Sequence, residues 1–337
     1  MKDQKRSENV LQSQDKKYPQ LFLNLLKREN AGIVIFLVIL FILFSFTSDT
    51  FLRQRNISTI LRQISVLGIV SFGAATVLLV GGIDLSIGSA AAFSGVTAAF
   101  FIQKVGFPIP PSIIIGILFG GVVGFVNGFF VTKIGIQPIV TTIGTMTLFR
   151  GLAYVMCGSG EAASYGIINL PKEFKLIGGG YVGVLPITIF FMVGVFFILL
   201  IVMNRLPVGR HIYAIGSNEE SAIISGINID RIKIFVFVIS GLCAGLGGVL
   251  LASRMNSGQP ASGSGLEIEA LTAIVLGGVS TVGGKGKISG VIVGVLIIGI
   301  LQNWLILMNV EYFYQLVIKG AVLIIAVTLD LLRVQKS

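Results

Sequence analysis

The sequence predicts an all-α integral membrane protein of about ten transmembrane helices, and three observations carry that prediction. Hydrophobic residues make up 54% of the chain and charged residues 12%, whereas a soluble domain carries about a quarter charged residues. Most of the apolar residues fall in continuous blocks of about 17–21, the length that crosses ~30 Å of hydrocarbon as a helix, not in the alternating segments of a barrel. The 43 glycines concentrate in those blocks, where small residues let helix backbones approach closely.

Taken in order, the apolar runs lie near 31–48, 64–80, 88–102, 111–131, 139–156, 185–203, 234–252, 268–279, 288–308 and 312–329. The third and eighth are too short to cross straight through the bilayer, so the Gly-rich turns beside them are expected to break or extend them. Met1 to Glu29 is too long and polar for the head of a secretory signal, and no small-residue cleavage site follows Phe46; the first run therefore reads as a retained anchor. Residues 51–63 read as a short amphipathic helix capped by Asn56 or Ser58. Ala75–Gly88 and Thr272–Gly284 echo each other, each being an apolar segment, Gly-Gly, a few polar residues and another Gly. Duplicated halves would give that pattern, and so would chance among Gly-rich segments.

Ten spans put both termini on one side. With the N-terminus inside, 16 Lys and Arg fall on inside segments and seven outside (Arg53, Arg55, Arg62, Lys104, Lys172, Lys175, Arg254), so the positive-inside bias predicts N-in and C-in. Residues 1–30 are then a cytoplasmic tail, 31–329 a single transmembrane domain and 330–337 a second cytoplasmic tail. The same bias accounts for the net charge of +10. The basic residues form no patch interleaved with aromatics, which argues against a nucleic-acid partner. Cys157 and Cys243 stand alone and read as small buried hydrophobes.

Chemistry is sparse. In Gly277–Lys287, Val279 and Gly286 occupy the places where a nucleotide-binding loop needs Gly and Ser or Thr. One histidine, His211, allows neither a metal cluster nor a Ser/His/Asp set. The ionisable residues in or near spans are Asp84, Arg150, Glu267, Glu269 and Lys319, and they form no evident carboxylate relay of the kind an ion-coupled carrier needs. Energy is therefore expected from a partner. The place to receive it is Asn204–Lys233, a polar island between apolar runs that carries Arg205, Arg210, Arg231, Lys233, Glu219 and Glu220. Within it Ser217 reads as a helix cap, with Glu220 three positions on as in a capping box and Gly226 as the stop.

The run GRHIYAIGSNEESAIISGINIDRIK (Gly209 to Lys233) resembles the cytoplasmic loop of permease subunits of ribose-type ATP-binding-cassette sugar importers, a family that includes xylose, galactoside and autoinducer-2 permeases. GGIDLSIGS (Gly81 to Ser89) and Asn256 to Gly290 resemble the same family, and the likeness extends from about Leu52 to Leu332. The resemblance implies a vitamin-B12-permease-like (type II importer) bundle. It also implies a second permease copy, identical or related, two cytoplasmic ATPase subunits that use ATP and Mg²⁺, and an extracytoplasmic sugar-binding protein; this chain itself would hold no cofactor. The importer motif Glu-Ala-Ala-x-x-x-Gly maps onto Glu220, Ser221, Ala222 and Gly226, with Ser221 departing from it. The coupling residues are accordingly Arg210, Ser217, Asn218, Glu219, Glu220, Ala222 and Gly226.

For the pathway the candidates are Asp84, Ser86, Asn127, Asn256, Gln259 and Lys319. Amides supply both donors and acceptors for a hydroxyl-rich ligand. Asp84 is equally readable as the cap of a helix starting near Leu85, and Asn127 as an interhelical hydrogen bond. Lys319 needs a partner, for which Asp84 is one choice; Arg150 is expected to snorkel to the outer interface, and Trp304 to anchor there. The expected function is import of a monosaccharide such as ribose. Autoinducer-2, galactosides or branched-chain amino acids are alternative cargoes, and a stand-alone carrier or channel is the alternative class.

Overall fold

The computed structural model describes residues 31–334, so the whole N-terminal tail (1–30) and the last three residues lie outside it. The described residues form fourteen α-helices, two five-residue π-helical segments and one two-strand hairpin. We number them α1 (Ala31–Thr47), α2 (Gln54–Leu79), α3 (Ile87–Phe100), α4 (Ile109–Phe129), α5 (Pro138–Cys157), α6 (Glu161–Tyr165), α7 (Lys172–Gly179), β1 (Tyr181–Val182), β2 (Leu185–Pro186), α8 (Ile187–Arg205), α9 (Pro207–Ser217), α10 (Glu219–Ile224), α11 (Ile229–Met255), α12 (Leu266–Leu276), α13 (Ile288–Leu307) and α14 (Tyr312–Val334).

Among the described residues, six helices are long and apolar enough to cross a membrane: α2, α4 with its π extension, α5, α8, α11 and α13. α1 and α14 contribute shorter apolar segments. The two short runs behave differently from each other. α3 spans 14 residues, or about 21 Å, and the π segment Phe101–Val105 lengthens it before Gly106 turns the chain. α12 has only 11 residues, about 16 Å, and begins part-way into the bundle. The same π device recurs at the far end of α4, where Phe130–Ile134 closes on Gly135. In both, Phe, a β-branched residue, any residue, Lys, a β-branched residue and Gly follow in order, and the Gly lies at positive φ (+77° and +80°).

α11 is the central helix, packed by α2, α3 and α4. Its contact with α4 is a glycine zipper. Gly116, Gly120, Gly124 and Gly128 recur every four residues on one face of α4, and a Cβ at Gly120 would sit 2.7 Å from the Gly245 Cα, one at Gly124 2.9 Å from the Val238 Cα, and one at Gly128 2.8 Å from the Ile234 Cα. Partner numbers fall along α11 as they rise along α4, so the two helices are antiparallel. With no hydrophobic drive between helices in lipid, this close backbone approach is what holds such a pair together.

Contacts at the helix ends define two ends of the bundle. At the upper end Asn56 and Asn303 exchange amide hydrogen bonds (2.9 Å each way), and Trp304 donates to Thr47 (2.8 Å) while stacking on Phe44 at 4.4 Å. At the lower end the Gly284 nitrogen donates to the Leu79 carbonyl (2.9 Å), Lys133 pairs with Asp230 (2.6 Å), and the Thr281 nitrogen donates to Asp330 (3.0 Å). Residues 54–63 are the first turns of α2 rather than a separate surface helix. Arg53 stands at its N-cap without a side-chain bond, and Asn56 instead donates to the Phe51 carbonyl. The expected capping by Asn56 or Ser58 is thereby corrected.

Candidate pathway site and coupling surface

α2 stops at Leu79 and the chain turns back through Gly81–Ser86 to start α3. This break carries a buried polar network. Asp84 accepts from the Ser86 nitrogen (3.0 Å) and hydroxyl (2.6 Å) with one oxygen and from the Ser240 hydroxyl of α11 (2.8 Å) with the other. Asn127 of α4 donates to the Ser86 hydroxyl (2.7 Å) and accepts from Thr145 of α5 (2.5 Å). Thr142 of α5 also donates to the Ile83 carbonyl (3.2 Å). Asp84 is 7% exposed and Asn127 and Ser240 are fully buried. Ser240 lies about 16 Å from the start of α11, so the network sits in the middle of the bundle, where each polar group needs its partner.

Of the six pathway candidates, the structure brings Asp84, Ser86 and Asn127 together. Asp84 is not the helix cap: α3 begins at Ile87, and Asp84 instead fixes the turn before it. Lys319 is elsewhere and does not meet Asp84. It pairs with Glu269 of α12 (2.6 Å), to which Gln302 of α13 also donates (3.2 Å). Glu and Lys find each other because α12 packs against both α13 and α14. Asn256 and Gln259 lie on the segment linking α11 to α12; Asn256 ends α11 in the left-handed region at φ +53°. Arg150 does not snorkel, because its guanidinium donates to the Pro260 and Ser262 carbonyls (2.6 and 2.7 Å). Sequence reasoning missed Ser240, Thr142 and Thr145, since an isolated hydroxyl in an apolar run reads as an internal bond to its own helix.

At the lower end, what read as a loop is mostly helical. Pro207 opens α9, a position that suits its fixed φ and missing N–H, and Gly209, Ile212 and Ile215 form its buried face. The i, i+3 spacing of Ile212 and Ile215 after a proline was the available sequence clue. Gly216 brings α9 hard against α2 and the 277–287 turn: a Cβ there would run into the Leu79 carbonyl oxygen and lie 2.5 Å from the Gly284 nitrogen. Tyr213 donates to the Gly286 carbonyl (2.9 Å), and burial pushes its phenol up, so it stays protonated as the donor. The two Gly-Gly turns that echo each other in sequence meet here, Gly283 against Gly81.

α10 is capped by Asn218, whose side chain accepts from the Ser221 nitrogen (2.8 Å). Ser217 is the last residue of α9, which corrects the expected Ser217–Glu220 capping box. One residue of offset moved the cap because Asn218 adopts extended backbone (φ −161°) while Ser217 is helical. Gly226 does stop the helix, at φ +77°, with its nitrogen bonding the Ile223 carbonyl and the Ile227 nitrogen bonding that of Ala222. Both bonds of a Schellman stop are thus present. Glu219 is clasped to Lys233 of α11 by two contacts of 2.8 Å, and Ala222 is buried. Arg210, Ser217 and Glu220 are exposed, beside Ile223 and Ile224, the latter 87% exposed. The surface offered is short, mixed in charge and apolar at its tip.

The chain matches the family described as branched-chain amino acid transport system / permease component over residues 56–327. Among curated relatives, the ribose import permease protein RbsC of Bacillus subtilis is 42% identical over 87% of this chain and 90% of its own. The L-arabinose ABC transporter permease protein AraH of Azospirillum brasilense is 39% identical over 90% and 88%. The D-allose transport system permease protein AlsC of Escherichia coli is 38% identical over 87% and 88%. No solved structure matches. With its family matched across residues 56–327 and six helices able to cross a membrane, the chain belongs to the branched-chain amino acid transport system permease component family and is a multi-pass protein of the bacterial inner membrane.

Proposed function

We infer that this chain is the membrane subunit of an ATP-binding-cassette importer that carries ribose or a similar monosaccharide. The observation that carries the reading is the 42% identity to a ribose import permease along nearly the full length of both chains, with arabinose and allose permeases beside it. The shared chemistry is a small polyhydroxylated ring. Amide and hydroxyl groups at the Asp84–Asn127–Ser240 network suit such a ligand better than an amino acid, whose two charges call for a matched pair of opposite charges.

In this reading ten helices (α1 to α5, α8 and α11 to α14) lie in the bilayer in a vitamin-B12-permease-like arrangement, N-in and C-in. Their alternating direction and the basic residues at the α9–α10 end support that orientation. Two such permeases, identical or related, pair with two cytoplasmic ATPase subunits and an extracytoplasmic sugar-binding protein. ATP and Mg²⁺ belong to the ATPases, and this chain holds no cofactor.

The geometry suggests how force would travel. An ATPase closing on Arg210, Glu220, Ile223 and Ile224 pushes α10, which Glu219–Lys233 ties to α11. The same push moves α9, whose Gly216 abuts Leu79 and Gly284. Displacing that junction shifts the break at Gly81–Ser86 and with it the mid-bundle network. Polar groups there can exchange partners with sugar hydroxyls as the pathway alternates, since a bond traded for a bond costs little. The test is the double variant Glu220→Arg, Gly226→Pro. Proline cannot adopt the positive φ of Gly226, so membrane insertion should persist while ATPase co-purification and uptake are lost. Normal uptake in that variant would remove the coupling role from α10.

A further inference from the structure

Beyond coupling, the upper end of the molecule contains a segment held shut from outside itself. Asn256–Gly265 leaves α11 at the top of the bundle and dips back to the mid-depth start of α12. Few of its own backbone bonds hold it there; it is a series of turns with glycines at 258, 263 and 265. Cys157 Sγ touches the Gly258 carbonyl (3.9 Å), and three further attachments keep it down. The Gly258 and Ile167 backbones bond each other at 2.8 and 2.9 Å. Gly263 abuts Gly88, at the start of α3. Between them Arg150, from α5, grips the Pro260 and Ser262 carbonyls.

Of these three, only the Arg150 grip runs through a charged side chain, and it joins two elements that belong to different parts of the bundle. α5 packs chiefly on α3, whereas the segment belongs to α11 and α12. Both bonds leave one guanidinium nitrogen, Nη1, so a single charged group ties the two carbonyls together, and such charge-assisted bonds are strong where water is scarce. Glu267 lies within electrostatic reach of Arg150, and its Oε2 is buried against Gly88 without a partner. The segment also carries Gln259 and Asn256, whose Oδ1 is likewise buried and unpartnered. Freeing it would expose amides and carbonyls suited to sugar hydroxyls.

We propose that Arg150 is the positioning residue of an outer gate: it holds Asn256–Gly265 down over the Asp84–Gly88 break, and its release from the Pro260 and Ser262 carbonyls is the step that opens the pathway to sugar from outside. The proposal rests on the importer reading. Its test uses the complete importer in proteoliposomes with ribose as the probe. Arg150→Met removes both bonds and Arg150→Lys keeps the charge on a shorter side chain. Ribose escape from loaded vesicles without ATP should rise about tenfold or more in Arg150→Met, the factor for losing one or two such bonds, with Arg150→Lys between it and the parent.

A merely structural role would lower importer abundance in proportion to side-chain loss and leave the escape per importer unchanged. An Arg150→Met importer that is as tight as the parent overturns the proposal. If Arg150→Met does not accumulate, Ser262→Cys in a Cys157→Ser background decides, because Arg150 binds the Ser262 carbonyl and not its side chain. An impermeant maleimide should label it several-fold faster in Arg150→Lys than with Arg150 intact, and equal rates overturn the gate. A parent importer that moves no ribose with ATP and its partners present refutes the importer reading itself, a separate outcome.

Discussion

Adding one methyl group at Gly216 should uncouple transport without detaching the ATPase. An alanine Cβ at this position would run into the Leu79 carbonyl oxygen and stand 2.5 Å from the Gly284 nitrogen and 3.0 Å from the Gly284 Cα, where 3.4–4 Å is ordinary contact. All three atoms are backbone, so no side chain can rotate away. Relief requires α9 to withdraw from the turn between α2 and α3, and the Gly284–Leu79 hydrogen bond and the Tyr213–Gly286 bond stretch with it. Overpacking of this kind costs roughly 1–3 kcal/mol, a shift of about five- to 150-fold in a two-state balance. The docking residues Arg210, Glu220, Ile223 and Ile224 are not touched. In proteoliposomes Gly216→Ala should therefore bind the ATPase as the parent does, hydrolyse ATP, and accumulate ribose at least about fivefold more slowly. Gly194→Ala is the control, because nothing lies within 4 Å of a Cβ there. Parent-level uptake by Gly216→Ala at equal abundance would refute the α9–α2 link.

Lys319→Met strands the Glu269 carboxylate among apolar helices and should destabilise the fold by about 3 kcal/mol, toward the lower end for a broken buried pair because both groups keep some exposure; adding Glu269→Gln should recover much of the loss in a detergent melt. Asn218→Ala removes the cap of α10 at a cost of about 1 kcal/mol and should weaken ATPase co-purification. Asn218→Asp keeps the cap, and Ser217→Ala and Ser221→Ala should both be silent, because Ser221 contributes only its backbone nitrogen to the cap. Asn127→Leu removes the amide that joins the Ser86 and Thr145 hydroxyls, which keep only Asp84 and the Thr142 carbonyl as partners. It should cost about 0.5–1.5 kcal/mol per lost bond, read as a lower melting temperature together with slower uptake.

Much of the architecture was legible because apolar blocks announce themselves by length: the long runs end within ten residues of the observed helix ends, and most within three. The short runs around 88–102 and 268–279 were legible as irregular from their length alone, and the structure resolves one into a π-extended helix and the other into a partial span. What the sequence could not show were pairings across the bundle. Lys319 had several carboxylates to choose from, and only the packing of α12 against α14 selects Glu269. Arg150 near a helix end has the sequence context of a snorkelling residue, yet the fold returns two carbonyls to it. The cap of α10 was misplaced by one residue because Ser217 and Asn218 are both good caps and α9, unseen in sequence, claims Ser217 as its own last residue. The Gly-Gly echo was ambiguous as evidence of duplication; its spatial meaning is that the two turns touch each other beneath Gly216.

The most direct test of the account is ribose uptake by the purified permease in proteoliposomes, alone and then with an ATPase subunit, a sugar-binding protein and ATP. If energy enters through α9 and α10, the chain alone should accumulate no ribose under any ion gradient, and accumulation should begin only with both partners and ATP, then vanish with Glu220→Arg, Gly226→Pro. Gradient-driven ribose accumulation by the permease alone would contradict the account.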